Sequence, residues 1–82
     1  MDLPNQSVNL TPQQIVEIDK KLATMRHNVN NCLAMLVATA ELMRRKPETV
    51  ARFAESFADQ PQKIADEIKK FSEDLRASLG MQ

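Results

Sequence analysis

The side chains with most potential for chemistry in this 82-residue chain are its one histidine, His27, and its one cysteine, Cys32. One cysteine excludes an internal disulfide, and one histidine with no ligand cluster around it predicts no metal site. Without a metal site, His27 is expected to have the chemistry of an isolated imidazole. Such a ring can act as a nucleophile or carry a proton near neutral pH.

His27 stands in an unusually polar segment, 25–34, which reads MRHNVNNCLA. Three asparagines, Asn28, Asn30 and Asn31, fall within four residues here, although asparagine is a poor helix former. Residues that are locally unfavourable at one place suggest a functional demand on that place. The opposing interpretation is a solvated histidine with no task, and the position of His27 alone would favour it.

The apolar residues on both sides of this segment recur at alternating spacings of three and four, which predicts a long helix over 12–46. Thr11, Pro12 and Gln14 form the pattern of a capping box, with proline at the first helical position. Cations at 44–46 followed by Pro47 predict the end of the helix. The seam consists of Ile15, Ile18, Leu22, Met25, Val29, Cys32, Leu36 and Met43, with Thr39 in the one gap.

A second apolar seam predicts a second helix over 48–79, comprising Val50, Phe53, Phe57, Ile64, Ile68, Phe71 and Leu75. Pro61 lies where the spacing slips and predicts a kink rather than a break, and Gly80 predicts a C-terminal cap. Residues 1–10 are polar and lack periodicity, which predicts a flexible tail. The short connection between two long helices predicts an all-α antiparallel hairpin over 11–82.

An isolated hairpin would leave much of both seams exposed to water. A core of this size rarely stabilises a monomer by more than ~3–5 kcal/mol, and small chains usually add a disulfide, a metal or a partner subunit. Because the first two are not expected here, the sequence predicts a homodimer. Two hairpins together would form a dimeric four-helix bundle.

Heptad numbering places His27 on the outside of the first helix, because assigning Leu22 and Met25 to the core positions a and d puts His27 at f. Downstream of His27 this outward stripe is small and nearly uncharged, which favours close approach of another protein. The helix propensity of alanine is the alternative explanation for those residues. The stripe comprises Lys20, Thr24, His27, Asn31, Ala34, Ala38 and Glu41.

The string RHNVNNCLA resembles the phosphoacceptor box of sensor histidine kinases, which lies in their dimerisation and histidine-phosphotransfer domain. In that family a basic residue often precedes the histidine, an acidic residue usually follows it, and an asparagine or threonine lies four positions on. Arg26, His27 and Asn31 match this pattern, and Asn30 with Asn31 fits the paired asparagine of many members. The resemblance covers nearly the whole chain, since the family also forms a dimeric four-helix bundle.

The resemblance implies a histidine phosphotransfer protein of a two-component phosphorelay, exchanging a phosphoryl group between His27 and an aspartate of a response-regulator receiver domain. It implies catalytic roles for His27, Asn28 and Asn31. It implies no cofactor of the chain's own, because Mg²⁺ would be carried by the partner regulator. The implied partner-binding residues are Thr24, Arg26, Asn30, Ala34, Ala38 and Glu41.

Two departures from the family limit the expected chemistry. Asn28 stands where the family has a carboxylate, and an amide is not a useful base. Gly80 is the only glycine, so a glycine-rich phosphate loop is not expected. We therefore expect phosphotransferase-like chemistry without ATP-dependent kinase activity. The alternatives are a non-catalytic module that sequesters a response regulator or pairs with a sensor kinase, and a helical adaptor unrelated to phosphorelay.

Charge and composition argue against other classes of partner. Eleven basic residues balance eleven acidic ones, and the chain has neither Trp nor Tyr, so neither a basic face nor a base-stacking platform for nucleic acid is expected. The longest uncharged apolar run, 28–40, is shorter than the ~20 residues that cross a bilayer. The N-terminus lacks the pattern of a signal peptide, and a cytoplasmic location is expected.

Overall fold

The computed structural model describes residues 7–80 and consists of two long helices joined by a tight turn. Helix α1 spans Pro12–Arg45, a single 3₁₀ turn spans Pro47–Thr49, and helix α2 spans Val50–Ser78. The prediction of an all-α chain folded as a helical hairpin is confirmed. Most of the predicted tail, residues 1–6, lies outside the described residues, as do residues 81 and 82.

The start of α1 is fixed by the capping box that the sequence predicts. The Gln14 backbone N–H donates to Thr11 Oγ1 at 3.1 Å, and the Thr11 backbone N–H donates to Gln14 Oε1 at 2.8 Å. Two backbone N–H groups that would otherwise lack partners are thereby satisfied. Pro12 occupies the first turn, where its missing N–H costs nothing.

The turn between the helices is closed by hydrogen bonds to one carbonyl group. Lys46 C=O accepts from the Thr49 backbone N–H at 2.8 Å and from Thr49 Oγ1 at 2.7 Å. The hydrogen bond between residues three apart is that of a 3₁₀ turn, which spans Pro47–Thr49. Helix α2 therefore begins at Val50 and not at the predicted residue 48. The reversal takes so few residues that α1 and α2 must pack side by side.

Helix α2 continues through Pro61 without a break. Pro61 has no N–H to donate to the carbonyl four residues earlier, which normally weakens a helix. Beside it, the Gln60 side chain donates through Nε2 to the Ser56 carbonyl at 3.3 Å. Gln60 is only 6 % exposed and occupies the seam position between Phe57 and Ile64 where the apolar spacing slips. The gap in the apolar pattern is thus filled by a glutamine.

The hairpin is long and thin, and its core is incomplete. Its principal extents are 57 × 22 × 13 Å and its radius of gyration is 17.9 Å, whereas a compact chain of this length has about 12 Å. Within residues 7–80 no hydrophobic side chain is fully buried, and the buried residues are Thr39 and Gln60. One seam between two helices therefore covers its apolar side chains only partly.

Three residues of the predicted seams are exposed. Ile15, Val50 and Ile68 remain 55 %, 46 % and 48 % exposed. The seam position predicted for Ile68 is occupied by the preceding residue, Glu67, which is half-buried. Counting three and four onward from Gln60 gives Ile64, Glu67 and Phe71, so Ile68 turns toward the side of the hairpin. The prediction that Ile68 lies in the seam is wrong for this reason.

Most of the exposed large hydrophobic side chains lie on one side of the hairpin, which we call the apolar flank. With about 100° of rotation per residue, these side chains fall on the side of the seam opposite to Asn28 and Glu67. The apolar flank comprises Ile15, Leu33 and Val37 of α1 with Val50 and Ile68 of α2. Exposed apolar side chains grouped on one side of a hairpin could be buried by a partner. Neither helix of the described chain combines the length and hydropathy needed to cross a bilayer.

Candidate functional site

His27 lies in the middle of α1 and is exposed, as its predicted outward position requires. Its Nε2 atom is 3.2 Å from Nδ2 of Asn31. Residues four apart face each other on a helix, which explains why this asparagine reaches the ring. An amide nitrogen can only donate, so Nε2 accepts and the proton of the neutral ring lies on Nδ1. Asn31 thus holds the Nε2 lone pair in a hydrogen bond and leaves the proton of the ring on Nδ1.

Asn28 does not contact the imidazole, although it follows His27 in the sequence. Its Nδ2 donates to Glu67 Oε2 of α2 at 3.0 Å, across a half-buried part of the interface. Consecutive residues on a helix point about 100° apart, so Asn28 faces the partner helix while His27 faces away from it. The structure therefore brings His27 and Asn31 together and places Asn28 at the contact between helices.

The other predicted contact residues form the surface around His27. Thr24, Arg26, Asn30, Ala34 and Ala38 are all exposed. Ala34 and Ala38 follow His27 along the outward face of α1, so a partner could approach the backbone there without displacing large side chains. Arg26 and Asn30 lie on the shoulder of α1 nearer to the apolar flank.

Glu41, at the end of this stripe, belongs to an ion-pair cluster. Its Oε1 lies 2.6 Å from an Nη atom of Arg44 and 2.9 Å from Nε of Arg45. The guanidinium of Arg44, followed by that of Arg45, lowers the pKa of the Glu41 carboxyl below its usual value of 4.5. A carboxylate near a helix C-terminus is unfavourable by itself, and the two arginines offset that. Glu41 is therefore engaged with its own helix.

Glu67 is the residue at this site that the sequence pattern did not single out. The apolar pattern predicts Ile68 at the seam position between Ile64 and Phe71. Continuing the three-four spacing from Gln60 would have predicted Glu67 there instead.

Cys32 lies half-buried in the seam of α1. Across the described residues, no group of three or more His, Cys, Asp or Glu side chains is placed to hold a metal ion.

Comparison of the chain with protein-family models, with curated proteins and with solved structures finds no match.

Proposed function

We propose that this chain is a histidine phosphotransfer protein, which exchanges a phosphoryl group between His27 and the phospho-aspartate of a response-regulator receiver domain. The observation that carries the proposal is an exposed imidazole whose Nε2 is held by Asn31 at 3.2 Å, beside a track of small residues.

The transfer step follows from the assignment of the ring protons. Asn31 releases Nε2, and the Nε2 lone pair attacks the phosphorus of the aspartyl phosphate. The new N–P bond forms as the P–O bond to the aspartate breaks, and the electron pair leaves with the aspartate carboxylate. The ring keeps its proton on Nδ1. Breaking one exposed hydrogen bond costs little, on the order of 1 kcal/mol.

The receiver domain would dock along the outward face of α1. Ala34 and Ala38 would allow it to approach closely, and Thr24, Arg26 and Asn30 would supply polar contacts beside His27. Charge on the moving phosphoryl group would be neutralised by the Mg²⁺ that the receiver carries. The chain itself contributes the nucleophile, the group that orients it, and the docking surface.

The apolar flank supports a homodimer as the working form. Its exposed Leu33, Val37 and Ile68 would pack against the same residues of a second copy, forming a four-helix bundle. Burying one such side chain contributes about 1.5–3 kcal/mol, so several of them offset the cost of association. His27 points away from the seam and would stay accessible in that dimer.

One observation favours a second candidate, a non-catalytic module that binds a response regulator or pairs with a sensor kinase. The hydrogen-bond partner of His27 is an amide, and Asn28 is engaged with Glu67. Neither can serve as a base toward the ring. Such a module would keep the docking surface of α1 without passing on a phosphoryl group.

The two candidates differ in the fate of label from a phosphorylated receiver. We expect that incubation with a panel of radiolabelled phospho-receiver domains transfers acid-labile label to the wild-type chain and none to His27→Ala. Glu55→Ala, a substitution of an exposed residue of α2 that lies outside the docking surface, should retain transfer. Binding of a receiver without transfer would select the non-catalytic module, and neither binding nor transfer by any receiver would refute both.

A further inference from the structure

A groove lies between the two helices on the side opposite to the apolar flank. Its volume is about 230 Å³, and it is bounded by the N-terminal half of α1 and the C-terminal half of α2. Two half-buried apolar side chains, Met25 and Phe71, form its floor. Thr24 lines the rim three residues before His27, which is about one helical turn away.

Three lysines, Lys20, Lys21 and Lys70, line the same groove. None of them has a carboxylate oxygen within 4.0 Å anywhere in residues 7–80, even though Glu67 and Asp74 also line it. Glu67 accepts the hydrogen bond from Asn28. The groove is therefore lined by three cations and two carboxylates, and its small excess of positive charge favours an anion among the lysines.

We propose that this groove binds a small organic monophosphate, with its apolar part on Met25 and Phe71 and its phosphate among Lys20, Lys21 and Lys70. Lysine ammonium groups act as point charges that suit a phosphate dianion. The volume is below the roughly 300–1,000 Å³ of sites for drug-sized ligands, so the ligand has about one ring or a short chain. The site stands independently of the proposed phosphotransfer, because His27 is not part of its lining.

The test is a two-dimensional NMR titration of the full chain with phenyl phosphate. We expect saturable shifts in the backbone amides of Thr24, Met25 and Phe71. Lys20→Ala and Lys70→Ala should each weaken the affinity by about three-fold, which is typical of one exposed charge pair. Lys69→Ala is the matched control, since it removes the same charge from the neighbouring residue, which does not line the groove. It should leave the affinity unchanged.

Two further titrations test the apolar floor of the groove and its independence from His27. Inorganic phosphate should bind more weakly than phenyl phosphate, because it lacks a group for the apolar floor. His27→Ala should bind phenyl phosphate like wild type, so loss of phosphotransfer and loss of this site are distinguishable. The proposal is overturned if the shifts do not saturate, if inorganic phosphate binds equally well, or if Lys69→Ala weakens binding as much as Lys70→Ala.

Discussion

At the scale of single residues, the contact between His27 and Asn31 decides which ring nitrogen carries the proton. Asn31 donates to Nε2, which leaves the ring proton on Nδ1. Asn28, the residue next to His27, does not contact the ring because it points toward α2. The orienting residue is therefore four positions from the imidazole, where helix geometry brings side chains together.

We expect Asn31→Asp to reverse the tautomer of His27. A carboxylate can only accept, so the ring proton should move to Nε2 and transfer should slow by about ten-fold or more. The tautomer can be read from ring ¹⁵N chemical shifts at about pH 8.5, where an imidazole is neutral. Asn30→Asp adds the same charge one residue away and should leave the ring as in wild type. An unchanged tautomer in Asn31→Asp would contradict the orienting role of Asn31.

Glu41 should titrate below the usual range of a glutamate, because Arg44 and Arg45 stabilise its carboxylate. A carboxyl whose pKa is lower in the folded state contributes stability above its unfolded pKa. That contribution is lost as the pH falls from about 4.5 through the lower folded value. Side-chain ¹³C titration should show the low pKa in wild type and a return toward 4.5 in Arg44→Gln/Arg45→Gln. Added salt should reduce the difference, since the cluster is exposed.

At the scale of the elements, the hydrogen bond from Asn28 to Glu67 joins the two helices at a half-buried place. This bond fixes how α1 is rotated about its axis relative to α2, and therefore which way His27 points. The family resemblance would suggest restoring an acid at position 28. In this fold, such an acid would face the carboxylate of Glu67.

Asn28→Asp should therefore destabilise the hairpin by about 1–2 kcal/mol, since a hydrogen bond is replaced by two like charges. The matched double variant, Asn28→Asp/Glu67→Gln, exchanges donor and acceptor and should recover most of the loss. Glu67→Gln alone keeps an acceptor oxygen and should change stability little. Urea denaturation of the four proteins measures the coupling. If Asn28→Asp is as stable as wild type near neutral pH, the interhelical bond does not form in solution.

At the scale of the whole molecule, the hairpin lacks a closed core. No hydrophobic side chain is fully buried within residues 7–80, and the apolar flank leaves Val37 70 % exposed. In a chain this small and thin, the apolar surface that one seam buries contributes little stability. A second copy placed on the apolar flank would add the missing layer.

Val37→Glu should dissociate the proposed dimer, because it places a charge at the centre of the apolar flank without disturbing the seam between α1 and α2. Val16→Glu is the matched control, since Val16 is also exposed but faces outward from α1. Sedimentation equilibrium at micromolar concentration should give twice the chain mass for wild type and Val16→Glu. Val37→Glu should give the mass of one chain. A dimeric Val37→Glu would move the interface to another surface.

Features that depend on neighbours within one or two helical turns can be predicted from the order of residues alone. The Thr11–Gln14 capping box, the continuity of α2 through Pro61 and the exposed position of His27 all follow from local geometry or from the helical period. Alternating spacing also showed that both helices have an apolar face. These predictions hold because a helix repeats regularly, so residue order fixes direction around its axis.

The pairs of side chains that meet across the seam depend instead on how the two helices pack against each other. The bond between Asn28 and Glu67 joins residues 39 positions apart, and it forms because the 3₁₀ turn at Pro47 sets the register of α2 against α1. That register places Glu67 in the seam and turns Ile68 to the apolar flank. Hydropathy ranks Ile68 above Glu67 for burial, but a hydrogen bond from the facing helix makes the polar residue acceptable there. Which residue of α2 faces a given residue of α1 depends on how the two helices pack together, so it cannot be predicted from either helix alone.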